Sequence, residues 1–118
     1  MGDRELLELA AKAYGDPSVS ARAEGPFHTR VIGYCETMQC EVTTQWNPLI
    51  DDGDALRLAV KLDLHVQCDF KEEDSKVYVY GGWVGNGIEE ELGELDKFAA
   101  TRRAIVRAAA EIGKAGAQ

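Results

Sequence analysis

Residues 46–62, WNPLIDDGDALRLAVKL, are the stretch that most restricts what this chain can fold into. Between Asp54 and Asp63 the only polar side chains are those of Arg57 and Lys61, and both share one helical stripe with Asp54. The remaining circumference consists of Ala, Leu and Val. This pattern predicts a helix that is covered on most sides and lies at the centre of the domain.

The acids at the start of this helix allow two interpretations, a helix cap or a metal site. A helix begins with unpaired backbone N–H groups, and Asp51 or Asp52 as the N-cap, with Asp54 in the first turn, can satisfy them. A calcium loop needs oxygen ligands at alternate positions and a closing Glu, which this stretch lacks. Trp46 and Pro48 precede the cap, where the proline holds the chain extended. We therefore interpret these positions as a structural motif without a metal.

Residues 64–70 and 76–80 are predicted to pair as an antiparallel hairpin. Apolar and polar residues alternate strictly in LHVQCDF, and KVYVY alternates again after a charged turn. One face of this hairpin is apolar, with Leu64, Val66, Cys68, Phe70, Val77 and Val79, and the opposite face carries His65, Gln67, Tyr78 and Tyr80.

Helical spacing predicts two more helices, at residues 4–14 and 97–114, and the second is expected to bury Phe98. β-branched and aromatic residues predict one or two strands within residues 27–45, broken near residues 36–39. We expect loops at residues 16–25 and at the glycine-rich residues 81–87, and a solvated acidic approach to the last helix at residues 88–96. At 118 residues the chain makes a single α+β domain.

Three segments, ELLELAAKA, WNPLIDDGDALRLAVKL and TRRAIVRAAAEIGKA, follow one another in an order that resembles the phage ABA sandwich domain. This is a family of small proteins encoded in bacteriophages and prophages. The resemblance implies a compact three-layer α/β/α sandwich, with about three helices on the two faces of a small, mostly antiparallel sheet, spanning residues 1–118. The family brings no established activity, so no catalytic or binding residues are carried over. Trp46, Pro48, Asp51, Asp52 and Asp54 match as motif positions only.

The formal net charge of −8 restricts the partners of this protein. Such an acidic surface repels phosphates, so we expect no non-specific binding of nucleic acid, and basic partners are favoured. No apolar run approaches the roughly 18 residues of a membrane span, so we expect a soluble, unsecreted protein. The odd number of cysteines, three, fits reduced thiols in a cytoplasm.

The cysteines and histidines raise the question of a zinc site or a thiol nucleophile. Cys35, Cys40, His65 and Cys68 supply potential ligands, but His65 and Cys68 lie three apart on one predicted strand and should point to opposite faces. The sequence places no histidine beside Cys35 or Cys40 to act as a base. We therefore expect ordinary buried cysteines and no cofactor, and we favour a non-enzymatic role.

The polar face of the hairpin is the candidate binding surface. His65, Tyr78 and Tyr80, with Trp83 just beyond, would form an exposed aromatic patch that marks a partner site. In a three-layer sandwich a helix covers the same face, and the resemblance favours this second interpretation. A nucleotide-like anion could alternatively stack on these rings and pair with Arg102 or Arg103.

These observations lead to two functional hypotheses. The first is a phage or prophage accessory protein that binds a protein of host or phage origin in the host cytoplasm, with an anti-defence role as one form of this. The second is a binding protein, or minor enzyme, for a nucleotide-like small molecule. Self-association is compatible with either.

Overall fold

The computed structural model describes residues 2–21, 28–71, 73–81 and 87–116. These ranges contain three helices and six strands. In chain order they are α1 (Asp3–Tyr14), β1 (Val19–Ala21), β2 (His28–Cys35), β3 (Cys40–Trp46), α2 (Asp52–Lys61), β4 (His65–Asp69), β5 (Lys76–Tyr80), β6 (Ile88–Glu91) and α3 (Lys97–Ala115).

The described strands form two antiparallel sheets, with the orders β1–β2–β3 and β4–β5–β6. The predicted α+β class, with three helices and antiparallel strands, is confirmed, and the elements are compact enough to form a sandwich. The predicted hairpin is β4–β5, where His65 lies opposite Tyr80 and Cys68 lies opposite Val77. The strands predicted further upstream are β2 and β3, which are joined by a turn at residues 36–39.

Two strands lie where the sequence predicted none. β1 occupies part of the first predicted loop, and β6 forms within the acidic segment before α3. β6 pairs with β5, so that Ile88 lies opposite Val79 and Glu90 opposite Val77. The carboxylate of Glu90 is mostly buried and pairs with the guanidinium of Arg107. Pairing with a neighbouring strand and with an arginine therefore outweighs the low strand preference of glutamate.

α3 is the central element because it packs against α1, against α2 and against the β4–β5–β6 sheet. Asp96 caps its start, where the N–H of Ala99 donates to Oδ1 at 2.7 Å. Its buried face is rich in alanine, which lets neighbouring elements approach closely. At Gly113 an added Cβ would lie 2.0 Å from the carbonyl oxygen of Leu9 in α1, so this contact requires glycine. None of the helices in the described ranges is long and apolar enough to cross a bilayer.

α2 is less covered than its composition predicted. Its buried side is formed by Ala55, Leu58 and Ala59. Leu56 and Val60, on the opposite side, are 64% and 69% exposed. α2 packs on α3 along one side only, so the prediction of a helix covered on most sides is wrong. The prediction that Phe98 is buried is wrong for a related reason, because its ring projects from the first turn of α3 and is 67% exposed.

Trp46 anchors the β2–β3 hairpin to the core. Its indole is fully buried, stacks on Tyr14 with ring centroids 5.7 Å apart, and meets the edge of His28 at 5.8 Å. Beyond this anchor, residues 32–45 are exposed except for the half-buried Cys35. We call residues 32–45 the β2–β3 arm, because both of its faces are open to solvent.

Candidate functional site

The acid motif at the start of α2 has a structural role at each of its carboxylates. Asp51 is the N-cap, and its Oδ1 accepts the N–H of Asp54 at 2.9 Å. Asp54 is only 2% exposed, and it accepts the N–H of Asn47 at 3.0 Å and Nη2 of Arg57 at 2.6 Å. Nε of Arg30 lies 3.9 Å from the same carboxylate. Two arginines and the backbone N–H of Asn47 therefore compensate the buried charge.

Asp52 joins α2 to α3. Nη1 of Arg102 donates to its Oδ1 at 2.7 Å, and Nε of Arg102 donates to the carbonyl oxygen of Leu49 at 2.9 Å. Trp46 and Pro48, the remaining positions of the motif, are buried. The described residues contain no group of three or more His, Cys, Asp or Glu side chains that could hold a metal ion.

The prediction that the cysteines are buried is wrong. Cys40 and Cys68 are exposed, and Cys35 is half-buried. Cys35 and Cys40 lie opposite each other at the turn of the β2–β3 arm. Cys68 lies on the apolar face of the hairpin, as its alternation predicted, with its Sγ 3.9 Å from Oγ1 of Thr101. Its exposure follows from the open groove that it lines.

The aromatic face of the hairpin is exposed in the described part of the chain. The rings of His65 and Tyr80 stack with centroids 5.0 Å apart and an angle of 4° between their planes. Both residues and Gln67 are exposed, while Tyr78 is half-buried between its strand neighbours. Trp83 lies outside the described residues. The interpretation that a helix covers this face is wrong for the described residues, because α3 packs on the opposite side, where the valines of β5 are buried.

The structure does not bring the two predicted arginines to this aromatic face. Arg102 is engaged with Asp52 at the start of α2. Arg103 lies 3.1 Å from the carboxylate of Asp3 in α1 and 3.7 Å from that of Glu90 in β6. Both guanidinium groups project from α3, on the other side of the sheet from the ring of Tyr80. The arrangement predicted for stacking and pairing with an anion is therefore absent from the described residues.

A groove between α2, α3 and β4 has a mostly apolar lining. We call it the α2–α3 groove, and its volume is about 400 Å³. It is lined by Ala55, Leu56, Ala59, Val66, Cys68, Phe70, Phe98, Thr101 and Ile105, with Asp52, Lys97 and Arg102 as its charged residues.

The charged residues of the α2–α3 groove each contact a neighbouring group. Nζ of Lys97 lies 5.3 Å from the centre of the Phe70 ring, within the range of a cation–π interaction. Asp52 and Arg102 form the ion pair already described. The remaining lining offers apolar surface, the thiol of Cys68 and the hydroxyl of Thr101, which donates to the carbonyl oxygen of Lys97, so its chemistry suits the binding of an apolar group.

Sequence reasoning missed this groove although it identified most of its lining. Leu56 and Phe98 were assigned to apolar helix faces, and Val66, Cys68 and Phe70 to the apolar face of the hairpin. Periodicity identifies an apolar face but does not show what covers it. A helix with apolar residues around most of its circumference was the available signal, because such a helix has more apolar surface than one neighbour can bury.

Comparison with known proteins identifies no relative. No family model matches the chain, and no curated protein and no solved structure matches it either. The phage ABA sandwich resemblance therefore stays a prediction made from sequence segments.

Proposed function

We propose that this chain is a small acidic accessory protein of a bacteriophage or prophage, and that it acts in the host cytoplasm by binding a protein of host or phage origin. The resemblance of its three segments to the phage ABA sandwich domain supports the phage origin. The α2–α3 groove supports the binding role. Blunting a host defence is one task that such a protein performs by occupying a host protein.

The exposure of Leu56 and Phe98 carries this proposal. Both are large apolar side chains more than three-fifths exposed, and both line the same groove. Val66 adds a third partly exposed apolar residue from β4. Scattered apolar residues are ordinary on protein surfaces, but a contiguous apolar patch with a polar rim marks an interaction site.

The surroundings of the groove indicate the chemistry of its partner. Asp52, Lys97 and Arg102 line the groove at the N-terminal turns of α2 and α3, and the exposed caps Asp51 and Asp96 lie beside those turns, which gives three acids against two bases. The formal net charge of the whole chain is −8. An amphipathic helix with an apolar face and flanking lysines or arginines complements both features. The proposed partner therefore presents a basic amphipathic helix.

The groove can be tested with variants of two neighbouring exposed residues of α2. Leu56→Asp places a charge in the groove, whereas Val60→Asp places the same charge on the same helix outside the groove lining. We expect host or phage proteins captured by the wild type to be lost with Leu56→Asp and with Phe98→Asp. The same proteins should be retained by Val60→Asp. Equal capture by all four proteins would contradict the proposal.

A synthetic peptide tests the proposed partner chemistry directly. A helix of Leu and Lys, with the leucines on one face, should bind the wild type and should not bind Leu56→Asp. A peptide of the same composition in scrambled order is the control for attraction by charge alone. Binding of both peptides with equal affinity would show that the groove does not recognise an amphipathic face.

A thermal-shift screen separates this function from the binding of a nucleotide-like ligand. A ligand at a hundred times its dissociation constant stabilises a protein by about 2.7 kcal/mol. We expect nucleotides and cyclic dinucleotides to leave the melting temperature unchanged, because Arg102 and Arg103 are engaged by carboxylates on the far side of the sheet from the stacked rings. A reproducible rise with one nucleotide would favour the small-molecule function.

A further inference from the structure

β3 is an edge strand whose outer side faces no strand in the described part of the chain. The order of its sheet is β1–β2–β3, so β2 pairs with one side of β3 only. We propose that a second copy of this chain pairs with the free side, antiparallel to β3, and forms a two-fold symmetric dimer with a continuous six-stranded sheet. This surface is separate from the α2–α3 groove, so the inference stands or falls independently of the proposed function.

β3 has few of the devices that normally keep an edge strand from pairing. Natural edges are blunted by prolines, by charged side chains and above all lysine, by bulges or by short length, and of these β3 has one charge, Glu41. The seven residues of β3, CEVTTQW, contain no proline and no basic residue. Three consecutive β-branched residues, Val42, Thr43 and Thr44, occupy its centre. The irregularity in the β2–β3 ladder lies on β2, between Val31 and Gly33.

The edge formed by β6 in the other sheet provides an internal comparison. β6 has only four residues, and three of them are glutamates. A second copy of β6 would bring like charges together, which disfavours pairing. One edge of this protein is therefore short and charged, while β3 is longer and carries a single charged residue, Glu41.

The charges of β3 are compatible with pairing to itself. When two antiparallel copies are aligned at the central residue, Thr43, each Glu41 lies opposite Gln45 of the other copy, and Val42 lies opposite Thr44. The single acid of the strand therefore does not meet its own copy. Residues 28–46 contain one arginine and two glutamates, so the two strands and their turn carry a formal charge of only −1. Two copies that meet through β3 therefore bring little like charge together.

The β2–β3 arm also offers side chains that the free protein leaves in solvent. Ile32, Tyr34 and Met38 are exposed apolar residues of the arm, in addition to Val42 of β3 itself. Main-chain hydrogen bonds along an added strand supply affinity, and side chains on the two faces of the sheet supply register. A symmetric pairing through β3 uses Val42 of each copy, and the exposed residues of β2 and of the turn flank the new ladder.

The test is the mass of the full chain in solution. Sedimentation velocity should show the wild type at twice its 12.9 kDa chain mass at high concentration. Thr43→Lys and Thr43→Glu each place two like charges opposite one another in the dimer, so each variant alone should sediment at 12.9 kDa. An equimolar mixture of the two variants should recover the doubled mass, because Lys then faces Glu.

Thr37→Lys is the matched control, because it adds the same charge at an exposed position in the turn of the arm, outside β3. It should dimerise as the wild type does. A wild type that stays at the chain mass up to roughly 1 mM overturns the proposal, since that is the range of the weakest specific association. A doubled mass for Thr43→Lys alone, or a mixture that stays at the chain mass, also overturns it.

Hydrogen exchange of the wild type keeps the proposal testable if the Thr43 variants do not fold. The backbone amides of β3 that face away from β2 should become more protected as the protein concentration rises. Unchanged protection over the same range of concentration overturns pairing through β3. Protection that appears only after a peptide of another sequence is added also overturns it, because the partner of β3 is then not a second copy.

Discussion

The backbone N–H of Asn47 donates to Oδ2 of Asp54, a buried carboxylate seven residues later in the chain. This hydrogen bond joins the turn before α2 to the first turn of the helix. The N–H of the same Asp54 donates to Oδ1 of Asp51, which caps the helix. The acids of the motif therefore have different roles. Substitutions at each of them should separate capping, burial and surface ion pairing.

Replacing Asp51 by Ala should lower the free energy of unfolding by about 1 kcal/mol, because the N–H of Asp54 loses its acceptor. Asp51→Asn should cost much less, since an asparagine side chain caps a helix nearly as well. Urea denaturation of the two variants measures the difference. A loss in Asp51→Asn equal to that in Asp51→Ala would show that the charge matters and the cap does not.

Asp54→Ala should cost more, on the order of 3 kcal/mol, because the buried N–H of Asn47 loses its acceptor and Arg57 loses its ion pair. Asp54→Asn keeps an acceptor oxygen for Asn47, so its loss should be smaller. The exposed Asp52 is the matched control, and Asp52→Ala should cost less than either substitution at position 54. Chemical denaturation of the four proteins tests this order.

Leu58 and Leu56 form a matched pair on α2, one fully buried and the other 64% exposed. Leu58→Ala should lower the free energy of unfolding by about 3 kcal/mol through the cavity that it leaves. Leu56→Ala should change it by less than about 0.5 kcal/mol, as is usual for surface substitutions. Similar losses at both positions would mean that the α2–α3 groove is closed in solution.

EDTA should leave the melting temperature of the wild type unchanged. The carboxylates of Asp51 and Asp54 accept backbone N–H groups, and those of Asp52 and Asp54 pair with arginines. A bound calcium ion would compete with these partners for the same oxygens. A drop in the melting temperature with EDTA that added Ca²⁺ reverses would overturn the capping interpretation.

His28 should make stability depend on pH. Burial lowers the pKa of its imidazole, and the nearby carboxylate of Glu8 offsets this only in part. In the unfolded chain His28 takes up a proton near its ordinary pKa of about 6.5, whereas in the folded chain it takes up the proton only at a lower pH. The free energy of unfolding should therefore fall as the pH drops below about 6.5, and it should be unaffected by His28 at higher pH.

Denaturation of the wild type and of His28→Gln between about pH 5 and pH 8 tests this pH dependence, above the range in which ordinary carboxylates titrate. The wild type should lose stability towards the acidic end, and His28→Gln should lose less. Parallel pH profiles for the two proteins would show that the proton uptake belongs to another group.

Sequence reasoning located the elements whose periodicity is strong. The three helices and the β4–β5 hairpin lie within a few residues of their predicted positions, and the valines of β5 point into the core as alternation required. The N-cap of α2 also lies within the predicted acid motif. These features depend on local spacing and on capping chemistry, both of which a single sequence contains.

What the sequence could not supply is the identity of each neighbour. β6 forms because β5 and Arg107 lie beside it in the fold. Neither of them is close to the glutamates of β6 along the chain. The α2–α3 groove combines side chains from three separated segments. Leu56 and Phe98 satisfy the same apolar pattern as Leu58 and Ile105, yet the first two are exposed and the last two are buried. Burial is a property of the assembled fold, so periodicity alone does not separate a core face from a binding face.

The tight contact between Leu9 and Gly113 has a consequence for synthesis on the ribosome. α1 and α3 also meet through Asp3 and Arg103, which are 100 positions apart in the chain. Because the ribosome adds about 5 to 20 residues per second, α1 emerges several seconds before α3, the helix that buries it. During that interval Leu6 and Leu7 lack the helix that covers them, and the nascent chain presents them to chaperones and proteases.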